Sequence, residues 1–155
     1  MLLVRHAQAG RRDAWKADDR LRPLSSKGHR QAKALAVELA DYVADAGPQL
    51  QVLSSPYTRC RESVMPLAAA LSVTVTDQEE LAEGSGREAT RLLAEAASRP
   101  TVVCTHGDVV GEVLAWLASR GIDLGPRPQC PKASTWVLET RKGIYRAAHY
   151  LPPPR

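Results

Sequence analysis

Short apolar, β-branched runs alternate along this chain with longer segments whose apolar residues recur every three or four positions, and no other feature constrains the fold as strongly. The runs are Leu2–Val4, Leu50–Leu53, Val73–Val75 and Thr101–Thr105. Between them, Ala32, Leu35, Ala36, Leu39, Tyr42 and Val43 keep the i, i+3, i+4 spacing of a helix with one buried face. Cys60, Val64, Leu67, Ala68 and Leu71 do the same, as do Ala89, Leu92, Leu93, Ala96 and Ala97, and then Val110, Val113, Leu114 and Leu117. Strands alternating with amphipathic helices predict an α/β domain with a largely parallel central sheet, covered on both faces.

Turn and cap residues set the expected boundaries. Ser25 or Ser26 caps the first helix and Gly47-Pro48 stops it. Ser55-Pro56 reads as an N-cap with proline at the first helical position, and Pro66 is expected to kink that helix or free a carbonyl. A helix from about Arg87 to Ser98 precedes Pro100, and Gly121 ends the last one. Ser134–Glu139 and Ile144–Tyr150, joined by Lys142-Gly143, predict a hairpin. The charge-mixed segment from Gly10 to Leu24 reads as a surface loop. One domain is expected over residues 1–151, followed by a Pro-rich tail at 152–155. The first strand starts at the second residue, which leaves room for a longer natural chain ahead of it.

A chain of 155 residues buries enough surface to fold without metals or disulfides. Cys60, Cys104 and Cys130 are odd in number and form no CxxC pair; the first two read as small core residues and the third lies in a loop between Pro128 and Pro131. This cysteine usage fits a reducing cytosol, and no apolar stretch approaches the ~18 residues of a membrane span. The protein is expected to be soluble and cytoplasmic, with no membrane partner. The net charge of +4 permits an acidic partner such as a phosphate ester. Basic residues are spread along the chain with few aromatics between them, so nucleic acid is not expected as a partner. His29 and His149 have no metal-ligand spacing with the other histidines and read as an exposed first-turn residue and a last-strand residue; no metal or cofactor is expected. Nothing marks an oligomeric interface.

In sheets of this kind, ligands bind beyond the carboxyl ends of the strands. The first strand ends at Arg5-His6, the second leads to Arg59, and a later one ends at His106. Taken singly, Arg5-His6 also reads as a surface pair and His106 as a hydrogen-bonded structural histidine. Together they place a neutral imidazole, able to attack phosphorus, among guanidinium groups that hold phosphate oxygens. The neighbouring positive charge is expected to lower the pKa of His6 and keep it nucleophilic. Arg59 adds its fork to the positive end of a helix.

The stretches Leu3-Val4-Arg5-His6-Ala7, Ser54-Ser55-Pro56-Tyr57-Thr58-Arg59 and Val102-Val103-Cys104-Thr105-His106-Gly107 resemble the histidine phosphatase superfamily, the phosphoglycerate-mutase-like group. Arg22-Pro23-Leu24-Ser25-Ser26-Lys27-Gly28 with Gln31-Ala32 looks like the SixA-type phosphohistidine phosphatases, and is similar to the histidine-phosphatase domains fused behind MutT-type Nudix domains in actinobacteria. The resemblance runs from about Leu2 to Tyr150 and implies a three-layer α/β/α fold. It makes His6 the nucleophile of a covalent phosphohistidine intermediate, Arg5, Arg59 and His106 the phosphate pocket, and Glu83 the proton donor, with Glu80 as the alternative. Ala7 departs from the glycine common in the family after the Arg-His pair. The implied activity is a metal-independent phosphomonoesterase acting on a phosphohistidine protein, a phosphorylated nucleotide or a small metabolite. The rival expectation is a non-catalytic phosphate-binding regulatory module of the same fold.

Overall fold

The computed structural model describes residues 1–155. Its strands are β1 (Leu2–Arg5), β2 (Gln51–Ser54), β3 (Val75–Asp77), β4 (Thr101–Thr105), β5 (Thr135–Arg141) and β6 (Ile144–Leu151). Its helices are α1 (Ser26–Val43), α2 (Thr58–Ala70), α3 (Gly86–Ala96) and α4 (Gly107–Ser119). The strands form one sheet in the order β3-β2-β4-β1-β5-β6. β3, β2, β4 and β1 run parallel, and the expected hairpin of β5 and β6 extends the sheet antiparallel to β1.

Because successive strand residues face opposite ways, each apolar run feeds two cores. Leu2, Val4, Val52, Val102 and Cys104 meet Leu35 and Leu39 of α1 and Val64 and Leu67 of α2. On the other face, Leu3, Leu53 and Val103 meet Leu93 of α3 and Val110, Val113 and Leu117 of α4. The chain is a mixed α/β fold of three layers, as expected. All five residues of central β4 are buried, which is why its run shows no polar alternation. Each such leucine or valine side chain stabilises the fold by about 1.5–3 kcal/mol over its exposed state.

The start of α1 fixes the segment that follows β1. Ser25 caps the helix, its Oγ accepting from Gly28 N–H at 3.1 Å while donating to the Gln8 carbonyl at 2.9 Å. A Cβ on Gly28 would lie 2.0 Å from that same carbonyl oxygen, so only glycine lets the first turn sit directly on the chain leaving β1.

Several boundaries differ from expectation. α2 begins at Thr58 behind Tyr57, so Ser55 stands ahead of the helix, where its hydroxyl meets His106 and also accepts from the Tyr57 N–H. The helix continues through Pro66 to Ala70. β3 begins two residues later than the apolar run, because the Val73 N–H still closes the end of α2 on the Ala68 carbonyl at 3.0 Å. The segment from Gly10 to Leu24 is not simply surface: a bridge pairs Ala9 with Leu24, and both Leu24 and Arg22 are buried. Cys60 and Cys104 are buried core residues, His29 is exposed in the first turn of α1, and His149 lies on β6 beside Glu139. No helix is long and apolar enough to cross a membrane.

Candidate active site

Parallel pairing brings three strand ends to one edge of the sheet. Arg5 is in register with Thr105, and Ser54 with Cys104, so His6, Ser55 and His106 each stand one residue beyond their strands. The His6 N–H continues the ladder by donating to the Thr105 carbonyl at 3.0 Å. The imidazoles of His6 and His106 then meet edge to face with centroids 5.4 Å apart. Arg59, the second residue of α2, is 1% exposed and enters the same space.

His6 Nδ1 lies 2.8 Å from the Ala7 carbonyl. A carbonyl oxygen only accepts, so Nδ1 carries the hydrogen and Nε2 keeps its lone pair. Nε2 has no protein partner, and the residue lines an open cavity. The pKa of His6 is pushed down to about 3, first by burial and then by His106, Arg59 and Arg5, against the Ala7 hydrogen bond. The expected direction therefore holds, but burial outweighs the arginines as its cause.

Arg5, Arg59 and His106 line the same cavity as His6, and Arg5 Nε, Arg59 Nε and His106 Nδ1 are buried with no protein partner. Arg5 is aimed by the Cys130 carbonyl, which accepts from its Nη1 at 2.5 Å. Its guanidinium lies flat on Gly107, where a Cβ would come within 2.7 Å of Arg5 Cζ. His106 is aimed by Ser55, whose Oγ sits 2.8 Å from its Nε2. The same Oγ accepts from Tyr57 N–H at 3.3 Å, which ties the His106 partner to the start of α2. The Tyr57 ring packs 4.6 Å from His106 and 4.7 Å from Arg59, holding both in place.

The carboxylates divide cleanly. Glu83 lines the cavity and accepts from Arg12 at 3.1 Å and from Arg59 at 3.5 Å. Glu80 is exposed and lies outside the lining, so the structure brings Glu83 alone of the two to the site. Asp19, absent from the sequence expectations, accepts from Arg59 Nη2 at 3.1 Å and from Arg22 Nε at 2.8 Å. Burial opposes its charge, but the Arg22 hydrogen bond and the charges of Arg59, Arg22 and Arg12 hold its carboxyl below the ordinary range.

The cavity measures about 830 Å³ and has one apolar residue among the fifteen that line it. Arg5, Arg11, Arg12, Arg22, Arg59 and Lys132 supply six cations against Asp13, Glu83 and Asp108. Sequence reasoning missed Ser55, Tyr57, Asp19, Arg22 and Lys132 as site residues. The fixed spacing of Arg22 ahead of the Ser25 cap was the one available signal. No group of three or more His, Cys, Asp or Glu side chains is arranged to hold a metal ion.

The chain is 35% identical over 163 aligned residues to the 8-oxo-(d)GTP phosphatase of Mycolicibacterium smegmatis, an alignment covering 99% of this chain and 48% of that protein. It thus spans about half the length of that relative. Its fold is similar to that of a protein assigned as the phosphohistidine phosphatase SixA of Agrobacterium tumefaciens, with a TM-score of 0.73 at 23% identity over 98% of this chain and 96% of the other. It is equally similar to the protein histidine phosphatase SixA complexed with tungstate, with a TM-score of 0.74 at 18% identity over 97% and 92%. A model of the histidine phosphatase superfamily (branch 1) matches residues 1–90, the stretch that holds Arg5, His6, Arg59 and Glu83. That match takes in more than half of the 155 residues, and the chain belongs to the histidine phosphatase superfamily.

Proposed function

We propose that this chain is a phosphomonoesterase that works through a phosphohistidine on His6. The observation that carries this reading is the tautomer of His6: with its hydrogen held on Nδ1 by the Ala7 carbonyl, Nε2 presents a lone pair to a cavity lined by Arg5, Arg59 and His106. Nε2 attacks phosphorus and the bond to the leaving oxygen breaks. Arg5, Arg59 and His106 meet the charge on the three equatorial oxygens, and Glu83 gives the leaving oxygen its proton. Water then attacks the phosphohistidine, losing a proton to Glu83 as the N–P bond breaks, and inorganic phosphate departs. The reaction needs no metal, because a neutral ring nitrogen has no proton to lose and arginines supply the charge.

The substrate class we favour is a phosphorylated nucleotide or small metabolite. The 35% identical relative, aligned over nearly the whole chain, is a phosphatase of (d)GTP derivatives and supports that choice. A cavity with one apolar residue recognises charge rather than a base.

The test is hydrolysis of p-nitrophenyl phosphate, nucleoside phosphates and a phosphohistidine peptide by wild type and His6→Ala, with and without a chelator. Wild type is expected to turn over the small esters, His6→Ala to lose that activity, and the chelator to change nothing. Binding without turnover of any substrate would instead favour a phosphate-binding module. Turnover of the phosphohistidine peptide alone would overturn the substrate class.

A further inference from the structure

Every cation lining the cavity but one is already engaged by the protein. Arg5 donates to the Cys130 carbonyl, Arg11 to Asp13, Arg12 and Arg59 to Glu83, and Arg22 to Asp19. Lys132 lines the same cavity, half-buried, with no hydrogen bond and no ion pair.

Its placement is built into the backbone. The Pro131 carbonyl accepts from Ser134 N–H at 3.0 Å, closing a turn with Lys132 and Ala133 at its centre. The Ala133 N–H donates to the carbonyls of both Arg5, at 3.2 Å, and His6, at 3.1 Å. Ala133 is fully buried with φ 65, a left-handed conformation that a non-glycine residue holds only where its surroundings demand it. The turn bearing Lys132 is thus fastened to the nucleophile and to its neighbouring arginine. Burial and the charges of Arg5, Arg22, Arg59 and Arg12 all push the Lys132 pKa below the ordinary lysine value. A lysine held against four arginines, without a carboxylate of its own, gains most from an incoming anion.

The transferred phosphoryl group does not need it, since Arg5, Arg59 and His106 already line the cavity beside His6. From this geometry we infer that Lys132 receives a second phosphate group of the substrate, so that the site prefers a terminal phosphate carried on another phosphate, as in a nucleoside diphosphate. This rests on the phosphatase reading above. With such a substrate, His6 Nε2 bonds to the terminal phosphorus, the bond from that phosphorus to the bridging oxygen breaks, and the inner phosphate leaves with the electron pair; water then releases the terminal phosphate.

The experiment compares kcat/KM of wild type, Lys132→Met and Lys132→Arg on three substrates: a nucleoside 5′-diphosphate, inorganic pyrophosphate and p-nitrophenyl phosphate. Lys132→Met is expected to lower kcat/KM for both anhydrides at least tenfold more than for p-nitrophenyl phosphate, mainly through KM, with Lys132→Arg recovering most of the loss. Equal losses on all three substrates would overturn the inference, because the amine would then serve the transferred phosphoryl group. A loss with the diphosphate but not with pyrophosphate would overturn it too, since the contact would be to the nucleoside. Wild type that hydrolyses p-nitrophenyl phosphate but neither anhydride overturns the inference and leaves the phosphatase reading standing. Wild type inactive on all three removes both. Recovery by the arginine variant separates lost charge from a disturbed turn.

Discussion

His6 and His106 leave the ends of two adjacent parallel strands and meet edge to face, with ring centroids 5.4 Å apart and planes inclined by 68°. Each ring has one nitrogen fixed by a neighbour, Ala7 for His6 and Ser55 for His106. The free nitrogens are Nε2 of His6, which keeps its lone pair, and Nδ1 of His106. In the proposed reaction the first attacks phosphorus and the second belongs to the phosphate pocket.

Substituting His6 by Asn is expected to cut kcat for p-nitrophenyl phosphate by roughly a thousandfold or more, because the proposed phosphohistidine can then no longer form. Oxyanion binding should survive, since the arginines remain. Rapid quench with a labelled phosphate ester should trap an acid-labile phosphoenzyme in wild type and none in the variant. A variant that still accumulates phosphoenzyme would remove His6 from its role.

Ser55→Ala takes away the only hydroxyl that orients His106. His106 Nε2 is then left without a hydroxyl partner, with only the Cys60 sulfur 3.5 Å away. The expected loss is about tenfold to a hundredfold in kcat/KM, with about 1–3 kcal/mol of stability lost to the unpaired buried nitrogen. Unchanged kinetics in a stably folded variant would show that Ser55 does not hold His106 in its working position.

Glu83 and Glu80 are separated by substrate choice. Glu83→Gln should depress kcat by about 10²–10⁴-fold on alkyl phosphates, whose leaving oxygen needs a proton, and far less on p-nitrophenyl phosphate. Glu80→Gln, exposed and off the cavity, should match wild type on both. The reverse ranking would reassign the acid.

The two glycines in close contact give different failures. Gly107→Ala drives a methyl group into the Arg5 guanidinium, so the fold should hold while KM for phosphate esters rises at least tenfold. Gly28→Ala instead pushes against a backbone carbonyl that cannot rotate away, and about 1–3 kcal/mol of stability is the expected loss, read from the urea midpoint.

The buried, neutral His6 also sets a pH dependence of stability. Its folded pKa of about 3 lies below the ordinary value of 6.5, so between those limits the unfolded chain binds one proton more than the folded chain. Stability contributed this way is complete above pH 6.5 and is lost as pH falls. Replacing His6 by Asn should remove about 2 kcal/mol of the stability lost between pH 7 and pH 5, measured by urea titration in phosphate-free buffer. Equal losses in the two proteins would mean that His6 is not buried in its neutral form.

What the sequence determined is the layout. Apolar periodicity is a local property, so the strands, the helices and their alternation could be read residue by residue, down to the limits of Thr101–Thr105. Three motifs at successive strand ends were enough to point to Arg5, His6, Arg59 and His106, because parallel pairing of such strands brings their ends to one edge. The tertiary structure decided everything that depends on which groups meet across long stretches of chain. The Ser55 hydroxyl looked like a helix cap until β4 placed His106 beside it, 51 residues away in sequence. Asp19 and Arg22 looked like loop surface until α2 brought Arg59 against them. Lys132 carried no motif at all, and only the fastening of its turn to Arg5 and His6 brings it to the cavity. Hydrogen bonds and charges act over a few ångströms of space whatever the separation along the chain, and for that reason the proposed nucleophile was legible early while its tautomer, its partners and the place of Lys132 were not.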